Sequence, residues 1–113
     1  MITRDDLRKL FINSCDMVLL EDQEYPTCSK SYVKDLLRDF HVAPYIPEIA
    51  DCDNRADRMR FYLIKNGIKP GYIKLINHLA LILLSDKNEL FIIDPGTKRI
   101  EKLKFAQYVA WWV

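Results

Sequence analysis

Two apolar runs joined by a short polar segment constrain the fold of this chain more than any other feature. The runs are HLALILL, which begins at His78, and LFIID, which ends at Asp94, and SDKNE separates them. Apolar runs of about 4–8 residues on either side of such a polar connection predict a β-hairpin. A hairpin centred on SDKNE sets His78 opposite about position 96, close to Asp94 on the paired strand.

Helical patterns come before the hairpin. Thr3 can cap a first helix, and Ser29 or Ser31 can cap a second helix whose apolar residues recur at helical spacing. A third helix is predicted from Asp53, and Gly67 can end it in the left-handed conformation. DMVLLEDQEYP fits either a short extended piece or a helix end, GYIKLI and RIEKL are predicted as further strands, and the apolar tail FAQYVAWWV is predicted to pack on the sheet.

The order of the elements predicts an α+β fold, in which helices are followed by a small antiparallel sheet. At 113 residues the chain is expected to form a single domain around one core. We divide it into a helical N-terminal part, residues 1–44, and a core helix with an antiparallel sheet, residues 45–113.

Composition argues against several classes of protein. Seventeen basic and sixteen acidic side chains give a net charge of +1, so a nucleic-acid binder that depends on a large basic surface is not expected. No apolar run comes near the roughly 20 residues that a helix needs to cross a bilayer, so no membrane partner is expected. MITRDDLRKLF lacks the basic end and apolar stretch of a secretory signal, and we therefore expect a cytoplasmic protein.

The cysteines and histidines give no pattern that is typical of a metal site or a disulfide framework. Cys15, Cys28 and Cys52 are odd in number and have no CxxC spacing, and the two histidines, His41 and His78, form no HExxH-type pair. No metal and no cofactor are therefore expected. We interpret Cys15 and Cys28 as packing or incidental thiols and His41 as structural.

Cys52 differs from the other two cysteines because it lies just before the third predicted helix. The positive end of a helix dipole lowers the pKa of a nearby thiol, whereas the flanking Asp51 and Asp53 oppose that effect. His78 and Asp94 are brought together by the predicted hairpin register. A buried thiol, a strand-end histidine and a turn carboxylate each have a simple structural explanation, and only the ordered triple indicates nucleophilic cysteine chemistry.

CDNRADRM, the strand opening HLALIL and FIIDPGT together resemble the cysteine–histidine–aspartate core of the papain-like and transglutaminase-like superfamily. Within it the pattern is most similar to bacterial protein-glutaminases and glutamine-deamidase toxin domains. YIPEIADCDNRA also resembles a segment of small phage-encoded proteins. The resemblance covers roughly residues 45–97.

The resemblance implies a papain-like core with Cys52 as the nucleophile, His78 as the general base and acid, and Asp94 as the group that orients the imidazole. It implies a thiol-dependent amidohydrolase that acts on protein or peptide amides, with glutamine deamidation favoured and proteolysis next. The alternative is a non-catalytic binding module or inhibitor of phage or toxin origin that keeps the fold. Trp111 and Trp112 are candidates for a homodimer or partner contact.

Overall fold

The computed structural model describes residues 1–11, 15, 17–42, 44, 46–47, 51–75, 78–103 and 109–112, with the backbone alone for Met17 and Cys52. The chain belongs to the α+β class. Its helices in these segments are α1 (Arg4–Phe11), α2 (Lys30–Arg38) and α3 (Cys52–Lys65). Its strands are β1 (Ile2–Thr3), β2 (Met17–Leu20), β3 (Glu24–Tyr25), β4 (Gly71–Leu75), β5 (His78–Leu84), β6 (Leu90–Ile93), β7 (Ile100–Lys102) and β8 (Val109–Trp112).

The main sheet has six strands in the order β2-β8-β4-β5-β6-β7, and β1 and β3 form a separate antiparallel pair. The pairing of β2 with β8 is parallel, whereas the other pairs of the main sheet are antiparallel. The prediction of an antiparallel sheet was therefore wrong for one pair, and the main sheet is mixed. DMVLLEDQEYP, for which an extended piece or a helix end was predicted, contains β2 and β3, so the N-terminal part contributes strands as well as helices.

The predicted hairpin is confirmed with its register. Leu81 lies opposite Ile93 and Leu84 lies opposite Leu90, so the two strands are paired about the SDKNE connection as expected. The Ser85 hydroxyl accepts hydrogen bonds from the backbone N–H groups of Lys87 and Glu89, both at 3.2 Å. These bonds close the connection and fix the register at the end of the hairpin that lies away from His78.

β5 is covered on both faces, which explains why its sequence is continuously apolar rather than alternating. Ala80, Ile82 and Leu84 belong to a cluster with residues of α1, and Leu79, Leu81 and Leu83 belong to a second cluster with residues of α2 and α3. The residues that α1 contributes are Leu7 and Phe11, and those that α3 contributes are Ala56, Met59 and Leu63. The sheet is thus the middle of three layers.

The helix ends follow the sequence signals. The Thr3 hydroxyl accepts a hydrogen bond from the N–H of Asp6 at 3.2 Å, as expected for a cap of α1. Ser29, one of two candidates, is the N-cap of α2. Gly67 adopts a φ of 83° after α3, which is the left-handed conformation expected there. None of the helices in the described segments is long and apolar enough to cross a membrane.

The two tryptophans of β8 lie in different environments. Trp112 is only 1% exposed, its ring lies 5.4 Å from that of Tyr25, and its Nε1 donates a hydrogen bond to the backbone carbonyl of Lys69. Trp111 is half-buried and stacks on Tyr72. Trp112 therefore packs inside the chain and does not form an exposed patch with Trp111. The rest of the predicted tail, residues 105–108 and 113, lies outside the described residues.

Gly71 is the position where the sheet tolerates no side chain. A Cβ at Gly71 would lie 2.8 Å from two ring atoms of Trp112 and 2.9 Å from the carbonyl oxygen of Trp111. We expect Gly71→Ala to lower the free energy of unfolding by about 1–3 kcal/mol, because the buried indole has no room to move. Urea denaturation followed by tryptophan fluorescence measures the change.

Gly67→Ala is the matched control for that variant. No atom lies within 4 Å of a Cβ at Gly67, so this substitution adds only the strain of a left-handed alanine, about 1 kcal/mol. A Gly71→Ala protein as stable as the unsubstituted chain would show that the contact between Gly71 and Trp112 is not tight.

Candidate active site

His78 and Asp94 meet where β5 begins and β6 has just ended. Nε2 of His78 lies 3.3 Å from Oδ2 of Asp94, which is within ion-pair distance. No hydrogen bond joins the two groups in this geometry, and Nε2 is buried without a hydrogen-bond partner among the described residues.

The second carboxylate oxygen of Asp94 has a structural role. Oδ1 accepts hydrogen bonds from the backbone N–H groups of Gly96 at 2.7 Å and Thr97 at 3.2 Å. The backbone carbonyl of Asp94 accepts a further bond from the N–H of Lys98 at 2.8 Å. Oδ1 therefore stabilises the DPGT turn, and the turn positions Oδ2 next to His78.

The nearby carboxylate favours one tautomer of the neutral imidazole. A carboxylate only accepts hydrogen bonds, so a hydrogen bond between the two groups requires the proton on Nε2, which leaves Nδ1 as the basic nitrogen. About a third of the His78 side chain is exposed (32%), although Nε2 itself is buried. The exposed part of the side chain therefore belongs to its other atoms, and the ring is open to solvent on the side away from Asp94.

Cys52 is the first residue of α3 rather than the residue before it. The N-cap is Asp51, whose carboxylate accepts from the N–H of Asn54, while the Asn54 side chain accepts from the N–H of Asp51. Asp53, the expected start of the helix, lies inside the first turn. The N–H of Cys52 belongs to the first four of the helix, which have no partner within the helix. The Cys52 thiol lies outside the described residues.

The chain path puts the start of α3 at the end of the sheet where His78 lies. After Lys65 the chain turns at Gly67 and enters β4 at Gly71, so the C-terminal end of α3 lies near the start of β4. β4 then runs back along the helix to Leu75, which pairs with His78. The first turn of α3 therefore lies near the start of β5.

Arg55 places the first turn of α3 beside the Asp94 turn. A Cβ built on Gly96 would lie 3.1 Å from Nη1 of Arg55 and 3.2 Å from Oδ1 of Asp94. Arg55 is three residues after Cys52, so its guanidinium reaches the turn from the first turn of the helix. The backbone of Cys52 and the pair of His78 and Asp94 are thus at one rim of the molecule.

Successive side chains of β5 point to opposite faces of the sheet, so His78 and Leu79 face different layers. His78 and Ala80 share one face of β5, the face covered by α1, whereas Leu79 packs with α3 on the other. A cleft of about 200 Å³ opens on the His78 face, and its lining residues are Leu75, His78, Ala80, Ile92, Asp94, Thr97, Arg99 and Glu101. The structure therefore brings His78 and Asp94 together. It leaves Cys52 on the helix of the opposite layer, at the same rim.

The sequence did not identify the polar residues at the rim of this cleft. Nη1 of Arg99 lies 3.6 Å from Oε1 of Glu101, and both side chains line the cleft with Thr97. Their spacing of two residues on a predicted strand was the available signal, since such residues share a face. No local sequence pattern indicates the proximity of Arg55 to the Asp94 turn.

The other cysteines and histidine lie on other segments, and His41 follows Phe40, whose backbone carbonyl accepts a hydrogen bond at 3.1 Å from Nζ of Lys98 in the Asp94 turn. Cys28 is half-buried, its Sγ donates to the backbone carbonyl of Leu84 at 3.4 Å, and burial raises its pKa to about 11, with a smaller contribution from Asp86. Cys15 is half-buried and His41 is exposed. Among the described residues, no group of three or more potential metal ligands is clustered.

No family model matches this chain, and no curated protein matches it. A comparison with solved structures finds a similar fold in the structure described as the PSL1a–E64 complex, with a TM-score of 0.75 and 13% sequence identity. The match covers 97% of this chain and 49% of that chain, so the present chain spans about half the length of its structural relative. At this identity the likeness shows a shared fold.

Proposed function

We propose that this protein is a thiol-dependent amidohydrolase with a papain-like core, in which Cys52, His78 and Asp94 form the active site. The observation that carries the proposal is the His78–Asp94 pair, with Nε2 held 3.3 Å from a carboxylate that its own turn fixes in place. The start of α3 at the same rim adds support, because a thiol there is favoured as thiolate by the helix dipole.

The proposed reaction is the hydrolysis of a glutamine side-chain amide. The Cys52 thiolate attacks the amide carbon, and the backbone N–H of Cys52 donates a hydrogen bond to the oxyanion that forms. The imidazolium of His78 protonates the leaving ammonia from Nδ1, and a thioester remains. His78 then takes a proton from water, which attacks the thioester and releases glutamate and the free thiol. Asp94 stabilises the imidazolium in both steps.

Protein or peptide substrates are proposed, with glutamine deamidation ahead of peptide-bond cleavage. The cleft beside His78, about 200 Å³, opens on the α1 face of the sheet, whereas α3 covers the other face, so the substrate amide is proposed to lie at the rim between the two layers rather than inside the cleft. The structural relative is a complex with E64, which makes E64 the first small molecule to test for binding here. A cytoplasmic location remains part of the proposal.

Thiol reactivity tests the proposal. We expect Cys52 to be alkylated well below about pH 8, faster than Cys28, because a helix start favours the thiolate and burial holds the pKa of Cys28 at about 11. We expect His78→Ala to remove this advantage, since the imidazole is the partner that takes the proton. Mass spectrometry after pulsed alkylation at several pH values measures the rate at each cysteine.

His41→Ala is the matched control, because it removes the other imidazole of the chain, which is exposed and has no role in the proposed mechanism. It should leave the rate at Cys52 unchanged. The proposal fails if Cys52 reacts as slowly as Cys28 in the unsubstituted protein, or if His78→Ala and His41→Ala have the same effect on it.

A non-catalytic binding module is the second candidate, and an exposed apolar pair on α3 favours it. Phe61 is 60% exposed and Ile64 is 41% exposed, and their spacing puts them side by side on the outer face of the helix. A binding module would tolerate Cys52→Ala and would lose its partner with Phe61→Ser. An amidohydrolase would show the reverse pattern.

A further inference from the structure

A second cavity lies at the other end of β5, where the SDKNE connection meets the first turn of α2. Its volume is about 480 Å³, within the range of roughly 300–1,000 Å³ that is typical of small-molecule sites. An isolated bridge between Cys28 and Ser85 fixes the start of α2 against the end of β5. The basic and hydroxyl side chains that line the cavity are Lys30, Lys34, Lys87, Lys102, Ser29, Ser31 and Ser85.

The lysines give this cavity an excess of positive charge. Four lysines line it against two acidic residues, Asp86 and Glu89. None of the four forms an ion pair with a carboxylate of the described residues, although other lysines of the chain do so, such as Lys9 and Lys69. The Lys30 ammonium lies 6.0 Å from the centre of the Phe91 ring, which forms the apolar wall beside it.

The first turn of α2 adds hydrogen-bonding groups to this charge. Ser29 Oγ and Ser31 Oγ share a hydrogen bond of 2.8 Å, so two hydroxyl groups stand together at the cavity wall. The first turn of α2 holds no acidic residue, and its dipole adds positive potential there. Ammonium groups, paired hydroxyls and a positive helix end together fit a doubly charged oxyanion.

We propose that this cavity binds a phosphorylated small molecule that carries at least two negative charges. Lysine ammonium groups act as compact point charges toward phosphate, and four of them around one cavity attract a multiply charged anion more strongly than a single carboxylate. The volume leaves room beyond one phosphate group, so the ligand carries further atoms that contact the wall at Phe91 and Leu90.

This site is separate from the His78 cleft. Phe91 and Lys102 line this cavity, whereas their neighbours Ile92 and Glu101, whose side chains alternate to the other face of the sheet, line the His78 cleft. His78 and Ser85 themselves lie at opposite ends of the seven-residue strand β5, about 20 Å apart at about 3.4 Å per residue. A phosphorylated ligand here does not touch the proposed catalytic groups, and its binding is independent of the reaction proposed for them.

Titration of the full chain with inorganic pyrophosphate, followed by NMR amide shifts, tests the proposal. We expect shifts at residues 29–34, 85–91 and 102 that saturate below about 10 mM, with inorganic phosphate binding more weakly and citrate more weakly still. The double variant Lys34→Gln/Lys102→Gln should weaken pyrophosphate binding by about tenfold or more. Both lysines are exposed, so the substitutions leave the core intact.

Lys9→Gln/Lys74→Gln removes the same charge from exposed positions that do not line the cavity. It should change pyrophosphate affinity by less than about twofold, as expected for screened surface charges. Equal weakening by the two double variants would show bulk attraction alone and overturn the proposal. Absence of shifts in these segments, or citrate binding as tightly as pyrophosphate, would overturn it as well.

Discussion

Cys52→Ala is expected to reduce the rate of glutamine deamidation by at least about 10⁴-fold, because in the proposed mechanism the Cys52 thiol forms the thioester. The substitution removes the proposed nucleophile and leaves the capping of α3 by Asp51 and Asn54 in place. The free energy of unfolding should therefore change little. Ammonia release from a glutamine-containing protein substrate, such as casein, measures activity, and urea denaturation measures stability.

Cys28→Ala is the control for that variant. Its thiol is half-buried and bonded to the Leu84 carbonyl, so the substitution should cost some stability while leaving activity intact. If a folded Cys52→Ala protein releases ammonia at the full rate, the proposed mechanism is wrong. Loss of activity in a folded Cys28→Ala protein would show that the proposal has assigned the catalytic role to the wrong cysteine.

Asp94→Asn is expected to lower kcat by an amount on the order of 10³- to 10⁴-fold while the fold is retained. The asparagine oxygen can still accept from the N–H groups of Gly96 and Thr97, so the turn is preserved. The amide NH₂ then faces Nε2 of His78, where it cannot accept a proton or stabilise an imidazolium. Steady-state kinetics of ammonia release, with the melting temperature measured in parallel, give the two readouts.

Asp94→Ala separates the two roles of this carboxylate. Alanine removes the turn acceptor as well as the partner of His78, so it should lose about 1–2 kcal/mol of stability in addition to activity. If Asp94→Asn keeps the full rate, the carboxylate serves only the turn, and the orienting role is wrong. If Asp94→Ala is as stable as Asp94→Asn, the two hydrogen bonds that the side-chain oxygen accepts do not stabilise the turn.

The parts of the fold that were predictable depend on neighbouring residues. The hairpin register follows from the length of the SDKNE connection, and the caps at Thr3 and Ser29 follow from hydroxyls at helix starts. The third helix was predicted from Asp53, whereas it is capped by Asp51, which forms the reciprocal capping pattern with Asn54 three residues later. Two aspartates on either side of Cys52 satisfy the same local rule, so only the reciprocal partner distinguishes them.

The parts that were not predictable depend on distant residues. β5 reads HLALILL, with apolar side chains on both faces, so the sequence cannot show which face packs on α3 and which packs on α1. The sequence therefore does not show whether His78 lies on the α1 face or the α3 face of β5. The sequence also does not predict the parallel pairing of β2 with β8, because parallel strands are not joined by a short turn that would mark them.

The pairing of β2 with β8 has a consequence for how this chain folds. The two strands are about 90 residues apart in sequence, and they bring an early segment and a late segment into one edge of the sheet. Contacts of such high sequence separation form slowly, because a large loop must close before they stabilise anything. Until β2 docks, β8 is an open edge with unpaired backbone groups. During folding, that edge is the place where one copy of the chain can capture a strand from another.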